Sequence, residues 1–170
     1  TIAEAKAAFV SIAARLGVPE RGAALVVRVE GEIAAVVAQL GAAPLRRTLF
    51  VVGRSPLIVA GSGTLQDELL RLARAENVGA AGGAGWPHLS LEHAVAAAPE
   101  VVIDASMGDE TAAAGAVAFW ARYTSVPAVR DGRVVVYGAG EVFRPGPRLG
   151  AALAGVARLV HPERFAGAGN

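Results

Sequence analysis

Upstream of Pro44 the apolar residues of this 170-residue chain recur every three or four positions; downstream they gather into short β-type runs separated by helical stretches. Leu25, Val29, Ile33, Val36 and Leu40 step by four and three, and Gly41 stands where a helix-ending glycine belongs. This predicts one helix over residues 20–40, about 30 Å long at 1.5 Å per residue, as long as a small domain is wide. A helix of that length bridges or braces something. A shorter helix precedes it. Thr1 and Glu4 have the spacing of a capping box, and Phe9, Ile12, Ala13 and Leu16 repeat helically until Gly17 and Pro19.

After Pro44, residues 48–52 and 57–60 read as strands around a turn at 53–56. A helix capped by Thr64 and carried by Leu65, Leu69 and Leu72 comes next. A glycine-rich loop over 79–85 runs into Trp86-Pro87, and Ser90 caps a short helix that Pro99 ends. Residues 101–104 form a buried strand, 110–123 a helix, and 133–137 a strand entered through Asp131-Gly132. The loop 138–147 leads into a last helix over 148–160, closed by Pro162. Alternation of this kind predicts a three-layer α/β/α lobe with a largely parallel sheet, preceded by the long helix.

Composition removes several function classes. Sixteen basic against fifteen acidic residues leave a formal charge of +1, which argues against a nucleic-acid binder. The chain has no cysteine, so disulfides, thiolate metal sites and cysteine nucleophiles are excluded. Mean hydropathy is +0.46, largely from alanine, yet no apolar run reaches the length of a spanning helix. The start carries no leader pattern, which weighs little in a chain that opens on Thr1 rather than Met.

Motifs for chemistry are sparse. Gly61-Ser62-Gly63 between a strand and a helix has the placement of an anion cradle, but the Lys of a P-loop is missing and Gln66 stands where a dinucleotide fingerprint needs its third glycine. Gly138-Ala-Gly140 fails likewise at Phe143. His88, Glu92 and His93 are one residue too widely spaced for an inverted zincin motif, and His161 has no neighbouring ligand in sequence. Asp104 ends a strand, as an active residue or as a cap for the loop 105–109; Asp109 and Glu110 favour a helix start. On a helical wheel Asp67 and Glu68 reach solvent, with Asp67 four residues from Arg71. Trp86-Pro87 and Phe143-Arg144-Pro-Gly-Pro-Arg148 each place an aromatic in a stiffened loop after a regular element. Such loops line clefts, or anchor themselves to a core. No catalytic residue and no metal site emerge; small-molecule binding does.

In order and spacing the segments resemble the C-terminal part of the class III periplasmic solute-binding proteins of ABC importers, the cobalamin, haem and ferric-siderophore group. The resemblance is carried by the long helix, Val51-Val-Gly-Arg-Ser-Pro56, Gly61-Ser-Gly-Thr-Leu-Gln-Asp-Glu-Leu69, Glu76-Asn-Val78 and Gly85-Trp-Pro-His-Leu-Ser-Leu-Glu92. It continues through Ala98-Pro-Glu-Val-Val-Ile-Asp104, Trp120, 126–134, Arg144-Pro-Gly-Pro-Arg148 and Leu159-Val-His-Pro-Glu163. It implies that residues 1–43 form a helical segment containing the inter-lobe helix (about 20–40), and that 44–170 form the C-terminal ligand-binding lobe. It also implies an extracytoplasmic, non-enzymatic role: capture of a corrinoid or iron chelate between two lobes and delivery to a membrane permease. The chain would bind no nucleic acid and meet the membrane only through that permease. By the same resemblance Glu68 docks onto permease arginines, and Trp86, Phe143 and Arg144 face the ligand. The family's N-terminal lobe is not among these residues, which implies a fragment or a free-standing lobe. The rival expectation is a soluble α/β enzyme or nucleotide-binding domain using Gly61-Ser62-Gly63.

Overall fold

In a computed structural model that describes residues 1–106, 112–138 and 140–166, Thr1 opens helix α1 (Ile2–Arg15) through the anticipated capping box. Helix α2 (Pro19–Leu40) starts on a proline, whose missing N–H is tolerated in a first turn, and Gly41 follows at φ +52°. The two helices pack closely because Gly22 has no side chain; a Cβ there would lie 2.7 Å from that of Ala13.

Strand β1 (Arg46–Arg54) is the spine of the sheet. It turns back into β2 (Leu57–Val59) as an antiparallel hairpin. Helix α3 (Leu65–Leu72) leads to β3 (Ala75–Asn77), parallel to the first residues of β1. Then come α4 (Leu91–Ala96), β4 (Val101–Asp104), α5 (Ala112–Trp120), α6 (Pro127–Arg130), β5 (Val134–Val136) and α7 (Leu149–Val160). The order is β2-β1-β4-β5, with β1, β4 and β5 parallel and β3 sharing an edge of β1 with β2.

Alternation along the strands divides the core in two. Phe50, Val101 and Ile103 face Val29, Leu40, Leu69 and Leu153, from α2, α3 and α7. Leu49, Val51 and Val102 face Ala94, Trp120 and Ala128, from α4, α5 and α6. This is the expected α/β/α layering. Helix α2 shares one core with the lobe: Val36 and Leu40 are buried with Phe50 and Val156. On α1, Ala13 is buried, whereas Ile12 and Leu16 are exposed despite their helical repeat.

The end of α7 rests on a polar knot. Arg133 donates to the carbonyls of Leu159 and Val160, and Arg46 also reaches Val160, cations placed where a helix leaves acceptors unfilled. His161 is fully buried between the Glu163 carboxylate and the Arg74 carbonyl. Sequence distance hid the second partner.

Strand β3 and helix α6 add to the elements anticipated. The first has three residues and no β-branched side chain; the second has four and begins at Pro127. The expected helix start at Asp109 and Glu110 lies outside the described residues, as does Ala139 of Gly138-Ala-Gly140.

Candidate functional site

The parallel strands β1, β4 and β5 end together, since Val51 pairs with Asp104 and Asp104 with Val136. Open α/β sheets bind ligands at this carboxyl end. Its far wall is the loop after β5. A 3₁₀ turn, Gly140–Phe143, brings Val142 into full burial, and the Gln66 Nε2 donates to the Val142 carbonyl at 2.6 Å. The half-buried Phe143 ring packs edge-to-face on Phe50, with centroids 6.3 Å apart. Two anchors thus hold the loop from below. Arg144 is exposed beyond them, beside a recess of about 390 Å³ that it lines with Gly146, Pro147 and Arg148.

Trp86 belongs to another wall. Residues 83–89 lace along β2 and its continuation: Val59 N–H donates to the Pro87 carbonyl, and Leu89 N–H to that of Leu57. Trp86 is 47% exposed, so about half of its ring surface faces outward from the laced segment. Gly61 allows this lacing, because a Cβ there would lie 2.2 Å from the Gly83 carbonyl oxygen.

The same hydrogen bonds remove the cradle expected of Gly61-Ser62-Gly63. Gly61 N–H donates to the Gly85 carbonyl and Ser62 N–H to that of Gly83. Gly63 N–H is taken by the Asp67 carboxylate at 3.1 Å. All three amides of the Gly61-Ser62-Gly63 loop already have acceptors, one of them anionic. The nucleotide-binding alternative is corrected on that ground.

Helix α3 reaches three neighbouring segments through three consecutive polar residues. Gln66 holds the Val142 loop. Asp67 reaches back to Gly63 and across to Asn77 Nδ2 (2.9 Å), and Asn77 in turn grips the Ala60 carbonyl and the Gly79 N–H. That network replaces the Asp67–Arg71 pair the spacing suggested. Glu68 is half-buried and accepts from the Ile2 N–H at 2.7 Å, so its carboxylate sits on the first turn of α1. Glu68 and Arg144 are therefore linked through one helix, while Trp86 does not line the recess at Arg144.

A second hollow lies alongside. Phe9, Ile12, Leu16 and Leu25 of the two N-terminal helices meet Pro145 and Pro147 around an open apolar groove of about 430 Å³. Near α4, the Glu92 carboxyl is held below its ordinary pKa by its own backbone N–H and by the Ser90 hydroxyl. It serves the helix start rather than a metal set with His88 and His93.

Sequence reasoning passed over Gln66, whose polar type hid its burial (2% exposed). It also passed over a cluster of Arg54, Asp104 and Ser106 at the strand ends. A strand-terminal Asp and a strand-terminal Arg were the available signal.

A family model described as periplasmic binding protein matches residues 1–140. A vitamin B12-binding protein of Pectobacterium atrosepticum is 31% identical over 107 residues, covering 63% of this chain and 35% of that protein. Among solved structures, the periplasmic heme-binding protein BhuT in complex with two hemes superimposes with a TM-score of 0.81 at 31% identity, over 96% of this chain and 64% of that one. The periplasmic vitamin B12 binding protein BtuF of Vibrio cholerae superimposes with a TM-score of 0.82 at 21% identity, over 94% and 61%. The match to the Pectobacterium protein thus spans about a third of its length. Among the described residues no helix is long and apolar enough to cross a membrane.

Proposed function

Because the chain belongs to the periplasmic binding protein family, whose members are binding proteins rather than enzymes, we propose that it is the C-terminal lobe and inter-lobe helix of a solute-binding component of an ABC importer. It works outside the cytoplasmic membrane, and its cargo is a corrinoid or an iron chelate. The observation that carries the reading is the open carboxyl end of the sheet: an exposed Arg144 on an anchored loop, with an apolar groove beside it on α1 and α2. A wall with an uncovered apolar margin suits a cleft completed by a second lobe, since deep burial of a large ligand takes two walls.

In this reading Trp86 offers a flat aromatic face, Arg144 a cation, and the half-buried Phe143 the remainder of its ring. Glu68 docks on permease arginines while its Ile2 contact keeps the carboxylate oriented. Rim charges of this type act mainly on encounter and partner choice. The intact two-lobed protein is titrated with cyanocobalamin and with haemin, followed by absorbance. A saturable spectral change with one of them, lost in Trp86→Ala, is expected; none with either overturns the reading. Glu68→Ala leaves that affinity unchanged and lowers uptake in a transport assay.

A further inference from the structure

At the ends of β1 and β4 the Asp104 side chain is 1% exposed. Its Oδ1 accepts from both the N–H and the hydroxyl of Ser106. Its Oδ2 is buried without a hydrogen bond among the described residues, 3.5 Å from Arg54 Nε, which instead donates to Ser106 Oγ at 2.9 Å. A buried pair with this geometry is a poor stabiliser, because desolvating both ions costs more than a 3.5 Å contact without a hydrogen bond returns. What the arrangement does achieve is orientation. The Nε edge of Arg54 is pinned, so the guanidinium plane is fixed.

The other edge is available. Among the described residues neither Nη atom of Arg54 donates a hydrogen bond, and the side chain is 21% exposed. Helix α5 passes directly over it at Gly115, where a Cβ would lie 3.0 Å from Nη1. A glycine at that point lets the helix pass without setting a side chain against Nη1. A guanidinium held by one edge and open along the other matches a planar, singly charged acceptor taken through two parallel N–H bonds.

We propose that Arg54, oriented by Ser106 and Asp104 and given clearance by Gly115, is the recognition site for a carboxylate carried by the cargo. The inference rests on the solute-binding reading and deepens it: among large chelates, this site selects those with free carboxylate arms. The test compares haemin, its dimethyl ester and cyanocobalamin on the same two-lobed protein. Haemin is expected to bind the unmodified chain more tightly than the diester. Arg54→Gln should weaken haemin about tenfold or more, the loss of a charge-assisted pair, and leave diester affinity unchanged. Gly115→Ala, which keeps the ion pair but crowds Nη1, should weaken haemin selectively even if Arg54→Gln folds poorly. Equal affinity for haemin and diester overturns this inference alone, as does cyanocobalamin binding with no response to haemin. Failure of all three probes overturns the solute-binding reading along with it.

Discussion

Replacing Gln66 by leucine removes one favourable interaction and one unfavourable one at the same place. The favourable one is the 2.6 Å bond from Nε2 to the Val142 carbonyl; without it that carbonyl is left buried and unpaired, which costs about 1–3 kcal/mol. The unfavourable one is Gln66 Oε1, itself buried with no partner among the described residues, so its removal returns about 1–3 kcal/mol. Leucine fills a similar volume among Leu65, Leu69 and Leu70. The net change in unfolding free energy is expected to lie within about 1 kcal/mol of zero. Gln66→Glu is the contrasting variant: it sets an oxygen against the Val142 oxygen and buries a charge, costing several kcal/mol. Urea unfolding followed by far-UV circular dichroism measures both from midpoint and slope. A leucine variant that loses about 3 kcal/mol or more, as the glutamate variant does, would refute the cancellation and mean that Oε1 is engaged.

Gly61→Ala should destabilise the chain by at least about 2 kcal/mol, because its Cβ meets the Gly83 and Gly85 carbonyl oxygens at 2.2 and 3.0 Å; a thermal melt unchanged from the parent refutes the close-approach argument. Burial works against the Glu163 carboxylate, but its own backbone N–H, His161 and Arg46 together hold its pKa below the ordinary value. A carboxyl depressed in the folded state stabilises above its unfolded pKa, and that contribution is lost as pH falls through the folded value. With Glu163 47% exposed the effect is at most about 1 kcal/mol, and the stability gap between parent and Glu163→Gln should close on acidification from pH 7 to below about pH 4. Asp67→Asn should loosen the Gly63 turn and lower the melting temperature without creating affinity for inorganic phosphate; phosphate-dependent stabilisation of the parent chain would contradict the occupied amides.

Local chemistry was readable in the sequence where cause and effect lie within a turn of each other. Thr1, Thr64 and Ser90 cap the helices their spacing announces, because a hydroxyl three residues from an unfilled N–H needs no tertiary context. The layering followed from one change of period at Pro44. Partnerships across the sheet were not readable. Arg54 and Asp104 lie fifty residues apart and meet only because β1 and β4 are neighbours in register. The stiffened loop of Phe143 suits either a cleft wall or a core anchor, and only the fold shows its ring against Phe50. Ile12 and Leu16 sit on the inner repeat of α1 yet face a groove, since their burial depends on what covers α1 rather than on their own helix.

The run Gln66-Asp67-Glu68 makes α3 a mounting bracket for detachable parts. The 140–148 loop hangs on it by a backbone carbonyl, that of Val142, and Asp67 braces the Gly63 turn and Asn77, which binds backbone groups of Ala60 and Gly79. The bond to Val142 reads no loop side chain; of the 140–148 loop, only the buried Val142 and the Phe143 ring on Phe50 are matched by shape. Beyond Val142 and Phe143, the sequence of the 140–148 loop can therefore diverge, or be grafted from a relative with a different cargo, while the bracket and the strands beneath it stay as they are.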